Sequence, residues 1–246
     1  MLRSDLVMFK YFILWLFLFI AFSSSFCKAS DLDDKEAFKW FQKAAELGDA
    51  KAMIVLASKY SLGKGTLRDD KEAFRWFKKA AELGNADAML MLGGMYSHSL
   101  GKGTLRDDKE AFKWLQKAAE LGNADAMRLL GYMYLRGEGT LRDDKEAFRW
   151  CKKAAELGDA DAMRMLGGMY LRGAGTLKSD KEAFRWCKKA AELGDVKAMS
   201  MLGLMYFQGI GNLKNPQQAK YWIKKAYDAG NKNAQDFWNK HELWKY

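Results

Sequence analysis

Trp40, Trp76, Trp114, Trp150, Trp186 and Trp222 follow one another at intervals of 36, 38, 36, 36 and 36 residues. Around each lies one phrase, DDKEAFRWFKKAAELGNADAMLMLGGMY in the second copy and DDKEAFRWCKKAAELGDADAMRMLGGMY in the fourth. A loop of the form LRGxGTLRD closes the unit, and the interval of 38 comes from two extra residues near Ser97 and His98. Such a period restricts the chain to repeat architectures, in which a unit buries its apolar face only by stacking on its neighbours. Six copies are expected, at about 33–69, 70–107, 108–143, 144–179, 180–215 and 216–246.

Each copy reads as two helices. Asp69 or Asp70 caps the first by accepting backbone N–H bonds. Ala73, Trp76, Phe77, Ala80 and Gly84 follow the spacing of one buried helical face. Gly84 then stops the helix, because glycine takes the left-handed cap conformation cheaply. The second helix starts near residues 85–87, with Ala88, Met91, Leu92, Met95 and Tyr96 as its apolar stripe. Gly93 carries no side chain and lets a neighbouring helix approach. The last copy replaces the capping Asp by Asn215 followed by Pro216, which suits the first helical position. Its second helix lacks the Gly-x-Gly loop and mixes charged residues with Phe237, Trp238 and Trp244, as a capping helix facing water requires. The fold class is therefore all-α, an α/α superhelical solenoid.

Composition narrows the function. With 49% hydrophobic residues and one Pro the chain is not disordered, and 29% charged residues exclude a membrane bundle. Three Cys and two His are too few for a disulfide scaffold or a zinc domain. Residues 1–29 read as a signal peptide: Arg3 and Lys10, an apolar run of twelve from Tyr11 to Phe22, then small residues through Cys27 and Ala29. A spanning helix needs about 20 apolar residues, so no stable transmembrane anchor is expected after cleavage. Residues 30–246 form the exported domain, periplasmic or secreted in a bacterium.

The recurring Ala73, Trp76, Ala80–Ala81, Gly84, Ala88, Leu92–Gly93 and Tyr96, with Gly-x-Gly loops at Gly63 and Gly65, Gly137 and Gly139, and Gly173 and Gly175, resemble the Sel-1-like repeat, a relative of the tetratricopeptide repeat. The resemblance covers about residues 33–234. It implies a right-handed α/α superhelix and a scaffold or adaptor for other proteins. Some cysteine-rich relatives are linked to penicillin binding and weak β-lactamase chemistry, which makes a β-lactamase or peptidoglycan-directed hydrolase the alternative reading. Those relatives carry a Cys pair within each repeat, and this chain does not.

The remaining motifs point away from catalysis. Cys151 and Cys187 share a register that holds Phe41, Phe77, Leu115 and Ile223 in the other copies, so they read as buried free thiols. Equivalent positions on packed helices lie about 8–10 Å apart, beyond disulfide reach. Ser61–Lys64 and Ser99–Lys102 match Ser-x-x-Lys, but in Gly-rich loops and without the motifs that accompany it in β-lactamases. His98 and His241 have no ligand-spaced companions. No catalytic residue, cofactor site or metal site is assigned.

The formal net charge is +10. Lys39, Arg75, Lys113, Arg149 and Arg185 form a ladder just before each Trp, and Lys78, Lys152, Lys188 and Lys224 form another with Gln42 and Gln116 in the remaining copies. Two readings stand: a solvated face paired with Glu on the same helix, and an electropositive track for an acidic protein, glycan or lipid surface. Phe38, Phe74, Phe112, Phe148 and Phe184 form an apolar ladder that either lines a binding groove or packs between repeats. The expected function is an exported, non-catalytic protein–protein interaction scaffold whose protein or peptide partner contacts these three rows. Nucleic acid is not expected, because the exposed aromatic interleaving of single-strand binders is missing.

Overall fold

The computed structural model describes residues 33–97 and 103–241. The targeting segment with Cys27, together with His98, Ser99–Lys102 and Trp244, lies outside the described residues. Twelve helices and no strand occur among the described residues. Helix α1 covers 33–46, and α2 Ala50–Leu62, α3 Asp70–Glu82 and α4 Ala86–Ser97 follow. Next come α5 Asp108–Glu120, α6 Ala124–Arg136, α7 Asp144–Glu156 and α8 Ala160–Arg172. The chain ends with α9 Asp180–Glu192, α10 Val196–Gln208, α11 Pro216–Asp228 and α12 Lys232–Lys240. Odd-numbered helices are the first of each copy (helix A), even-numbered the second (helix B). The chain divides into two compact units, residues 1–88 with 98–105 and residues 89–97 with 106–246, the boundary falling inside α4.

Capping explains the helix limits. Asp69 is the cap of α3: its side chain accepts from the amides of Lys71 at 2.9 Å and Glu72 at 3.0 Å. Asp70 is the first helical residue and is held by Arg68 at 2.8 Å. Asp107 and Asp143 repeat the cap, and Ser179 and Asn215 take it over at α9 and α11. The closing loops need their second glycine: a Cβ on Gly139, at φ +69°, would lie 1.9 Å from the carbonyl oxygen of Asp108. That contact seats the end of helix B's loop on the start of helix A in the same copy.

Helix B of one copy packs most extensively on helix A of the next. From α4 onward the contact is close because a glycine of helix B faces the residue after the Trp; in α2 the glycine's position is held by Ala57. A Cβ on Gly131 or Gly167 would lie 2.5 Å from the sulfur of Cys151 or Cys187, and Gly93 and Gly203 face Leu115 and Ile223 in the same way. This approach shifts the buried arc of helix B. Ala88, Met89, Leu92 and Met95 are buried, whereas Met91, expected in the stripe, is 46% exposed. At about 100° per residue, the buried arc is centred between Leu92 and Tyr96, and Met91 falls beyond its edge.

Cys151 and Cys187 are free and fully buried. Cys151 packs with Ala147 and Met169 beside Tyr134 and Leu135. Burial pushes both thiols up to about 12. Trp76, Trp150, Trp186 and Trp222 are 4–8% exposed. Trp114 is half-buried, and Trp40 is 71% exposed. At the other end, Asn239 of α12 stands 36 residues after Gly203, so its side chain closes the approach that glycine opens elsewhere.

A second link joins some copies. Arg128 of α6 reaches the α8 cap Asp159 at 3.0 Å and also pairs with Asp125. Arg164 of α8 does the same with the α10 cap Asp195 at 3.1 Å and with Asp161. Burial works against each guanidinium's charge, yet the hydrogen bonds it donates to both carboxylates hold its pKa above the usual arginine value. Where the following cap is Asn85, Asn123 or Asn231, the Arg register holds Ile54, Leu90 or Ser200.

Three outcomes follow from this packing. Gly167→Ala should cost about 1–3 kcal/mol in urea denaturation, and adding Cys187→Ala should recover most of it; an unperturbed single variant would refute the close-approach argument. Arg128→Leu and Asp159→Asn should each cost about 1–2 kcal/mol. The double variant, which rebuilds the Leu90–Asn123 combination, should return to within about 0.5 kcal/mol of the parent. In protein lacking Cys27, the thiols of Cys151 and Cys187 should resist a disulfide reagent at pH 8 and react only as denaturant unfolds the chain.

Candidate protein-interaction surface

The helix A faces carry the residues singled out by sequence, and their environments repeat from copy to copy. In unit two, Lys113, Arg149 and Arg185 are 53–65% exposed, and each is paired three residues back. The distances are 2.6 Å to Glu110, 2.5 Å to Glu146 and 2.8 Å to Glu182. In unit one Arg75 pairs with Glu72 at 3.0 Å, and Lys39 is exposed. The first ladder is thus a row of exposed cation–carboxylate pairs rather than a bare positive stripe. In the second ladder Lys152 and Lys188 lie 3.9 and 3.8 Å from Glu156 and Glu192, loose contacts at the edge of ion pairing. Gln42 and Gln116, at the same register, donate to Glu46 and Glu120 at 3.1 and 3.0 Å. Lys78 is exposed.

In the Phe ladder, Phe38, Phe112, Phe148 and Phe184 meet the Tyr of helix B in their own copy, edge to face, and Phe148 and Phe184 also pack on core clusters that residues of the preceding copy border. Phe38 pairs with Tyr60, Phe112 with Tyr134 and Phe148 with Tyr170 at 5.2 Å between centroids, and Phe184 with Tyr206 at 5.1 Å. All five Phe, including Phe74, are half-buried. Such ring pairs add about 0.5–1.5 kcal/mol beyond area burial, so the row is an intra-copy staple with one edge exposed.

The staple also touches the charged row. The hydroxyl of Tyr134 has a raised pKa through burial and the charge of Glu146, partly offset by Arg149. Tyr170 senses Glu182 and Arg185 in the same way, and Tyr60 senses Glu72 and Arg75. The pairs Phe38–Tyr60, Phe112–Tyr134 and Phe148–Tyr170 therefore abut the Glu–Arg pair of the following copy, each within its own unit.

One row escaped the sequence reading. Lys79, Lys117, Lys153 and Lys189 hold their ammonium groups 4.3, 4.4, 4.5 and 4.7 Å from the rings of Trp76, Trp114, Trp150 and Trp186. Arg149 and Arg185 lie against Trp150 and Trp186 at 4.9 and 5.2 Å. The signal was present as Trp-x-x-Lys in every copy, since residues three apart are neighbours on a helix. A second overlooked feature is the loop leucine: Leu67, Leu105, Leu141, Leu177 and Leu213 are 85–88% exposed. Ser61 lies in the last turn of α2 and Lys64 beyond its Gly63 cap, so this Ser-x-x-Lys closes a helix instead of opening one. Among the described residues no group of three or more metal-ligating side chains converges, and no helix is long and apolar enough to cross a membrane.

The sequence pattern of the Sel1 repeat matches residues 27–49, 50–85, 86–123, 124–159, 160–195 and 196–231. This frame runs from helix B to the next helix A, the pair that packs most extensively. Its first segment, 27–49, holds α1 with the exposed Trp40. No curated protein matches the sequence significantly. Among solved structures, a Sel1 repeat protein from Oxalobacter formigenes is similar at 36% identity and TM-score 0.76, covering 84% of this chain and 83% of that one. The c5321 protein, described as a protective antigen of uropathogenic Escherichia coli strains with an SLR fold, is also 36% identical with TM-score 0.76. That match covers 80% of this chain, which spans only 42% of c5321. A Sel1 repeat protein from Klebsiella pneumoniae shares the fold at 24% identity and TM-score 0.52. Period, paired helices and glycine contacts together make this chain a member of the Sel1 repeat family.

Proposed function

We propose that the protein is an exported, non-catalytic scaffold that binds a protein or peptide partner along the helix A rows. The observation that carries the reading is repetition of one surface: an exposed Arg or Lys, its Glu, and a half-buried Phe edge recur at a fixed register. In unit two the surface is built from Phe112, Lys113, Phe148, Arg149, Lys152, Phe184, Arg185 and Lys188. In unit one it is built from Phe38, Lys39, Phe74, Arg75 and Lys78. Exposed ion pairs hold together by about 0–1 kcal/mol, so an acidic partner side chain can take the cation from its Glu at little cost. The half-buried Phe edges add apolar contact without having to be ordered on binding, since the Tyr rings already fix them.

Export is supported by Arg3, Lys10, the apolar run from Tyr11 to Phe22 and the small residues that follow. A mature N-terminus at Ser30, read by protein sequencing, would accord with it. Retention of residues 1–29 in the purified protein would refute it.

The scaffold reading is tested by cross-linking. Residues 30–246 are incubated with envelope and secreted fractions, and cross-linked sites are mapped by mass spectrometry. Cross-links should cluster at Lys113, Lys152 and Lys188, and Arg75→Glu with Arg149→Glu and Arg185→Glu should reduce capture at least tenfold. Equal capture by parent and triple variant would sink the assignment of this face.

A further inference from the structure

The last copy departs from its predecessors in a way that opens a charged cleft. In α7 and α9 the first turn supplies Asp144 with Glu146 and Asp180 with Glu182, and the two Glu pair with Arg149 and Arg185. In α11 those acidic positions are Pro216 and Gln218. Lys220 stands where the other copies have the stapled Phe, and Tyr221 where they have the ladder cation. Tyr221 is 48% exposed.

Of these changes Lys220 and Tyr221 line a cleft of about 570 Å³, together with Lys224 and Lys225, which keep the lysine registers of the earlier copies, and with Asp228 and Trp238. Three ammonium groups face one carboxylate. Asp228 pairs with Lys224 at 2.5 Å, whereas Lys220 and Lys225 have no ion pair among the described residues. Aromatic rings hold two of the three ammonium groups in place. Lys225 lies 4.8 Å from the ring of Tyr221 and 5.3 Å from that of Trp222. Lys224 lies 5.6 Å from Tyr227 and 6.0 Å from Trp238.

We propose that this cleft is a docking site for a short acidic peptide segment, two carboxylates flanking one residue and followed by an aromatic side chain. Lys220 and Lys224 are one helical turn apart, which sets their Cβ atoms about 5–6 Å from each other. Alternate residues of an extended peptide project to one side about 6.6 Å apart, so two such carboxylates meet two ammonium groups. The exposed ring of Tyr221 is the platform for the aromatic side chain. The cleft is built for separate carboxylates rather than one phosphate. It has no Arg fork, and the start of α11 is closed by Pro216 and by Asn215, whose side chain accepts from the amide of Gln218 at 3.0 Å. The site goes beyond the rows proposed above: it belongs to one copy, and Asp228 offsets only one of its three positive charges.

The test is calorimetric titration of the full chain with an acetylated, amidated Ser-Asp-Ser-Asp-Phe-Ser peptide. Binding at one site per chain is expected, with no binding of the peptide carrying Asn in place of Asp. Lys220→Gln with Lys224→Gln, which removes both ammonium groups that meet the carboxylates, should weaken binding at least tenfold. Lys220→Gln alone, which leaves the ring contacts of Lys224 intact, should weaken it severalfold. The same charge change in earlier copies, Lys145→Gln with Lys181→Gln, should alter it less than twofold. Absence of binding, equal loss in the control pair, or displacement by inorganic phosphate at the peptide's own concentration would each overturn the assignment.

Discussion

The approach of a helix B glycine to the residue after the next tryptophan sets the spacing on which everything else rests. With Gly131 facing Cys151 and Gly167 facing Cys187, no side chain separates the two helix surfaces at those points. The helix axes can then come as near as the neighbouring sulfur and carbonyl atoms permit, which buries Leu130 and Leu166 completely. Proteins pack their interiors at crystal-like density, so a volume added on one side has to be removed from the other. The facing residue therefore ranges over Leu, Cys and Ile where glycine stands at Gly93, Gly131, Gly167 and Gly203, and the first copy replaces the glycine with the small Ala57 opposite Phe77. It also explains why cysteine is tolerated in a chain read as exported: the sulfur fills a gap of defined size, and its burial keeps it protonated and inert.

On that spacing a polar link is added between particular copies, and it comes as a matched pair. A half-buried Arg needs a carboxylate, and Asp159 and Asp195 supply it while also capping their own helices. An Asn at the cap would satisfy the helix amides equally well but would leave the Arg charge poorly compensated, a costly outcome for a partly desolvated ion. The chain follows this rule without exception: Ile54, Leu90 and Ser200 precede Asn caps, and Arg128 and Arg164 precede Asp caps. Copies that look interchangeable by sequence are thus coupled in neighbouring pairs, and an exchange that broke one pair would leave a buried cation.

Much of this was legible in the sequence. The tryptophan period gave the number of copies, Asp and Gly gave the helix ends to within a residue, and Gly93 marked the close contact. What was not legible depends on where the neighbouring helix lies. Met91 and Met89 are equally apolar, and only the direction of the next helix A decides that Met89 is buried. The Phe ladder read as a groove or an inter-repeat contact because its Tyr partner lies 22 residues away on a helix whose crossing angle the sequence does not encode. The Lys–Trp stacking was missed for a different reason. The period made lysine look like solvent-facing charge, although a long side chain can lay its ammonium on a ring of its own helix.

Repetition also decides where specificity can reside. A side chain present in every copy offers a partner several equivalent registers, so it contributes affinity and avidity more readily than a unique pose. A unique pose needs a residue that breaks the repeat. In this chain such residues concentrate at the ends. Trp40 is 71% exposed, and α11 exchanges two acids and a stapled Phe for Pro, Gln and Lys. The third, fourth and fifth copies have a glycine contact on both faces and keep nearly the same sequence. The rows of the internal helices therefore suit extended, low-specificity contact, whereas the excess positive charge of the last copy's cleft can fix the register of a bound chain.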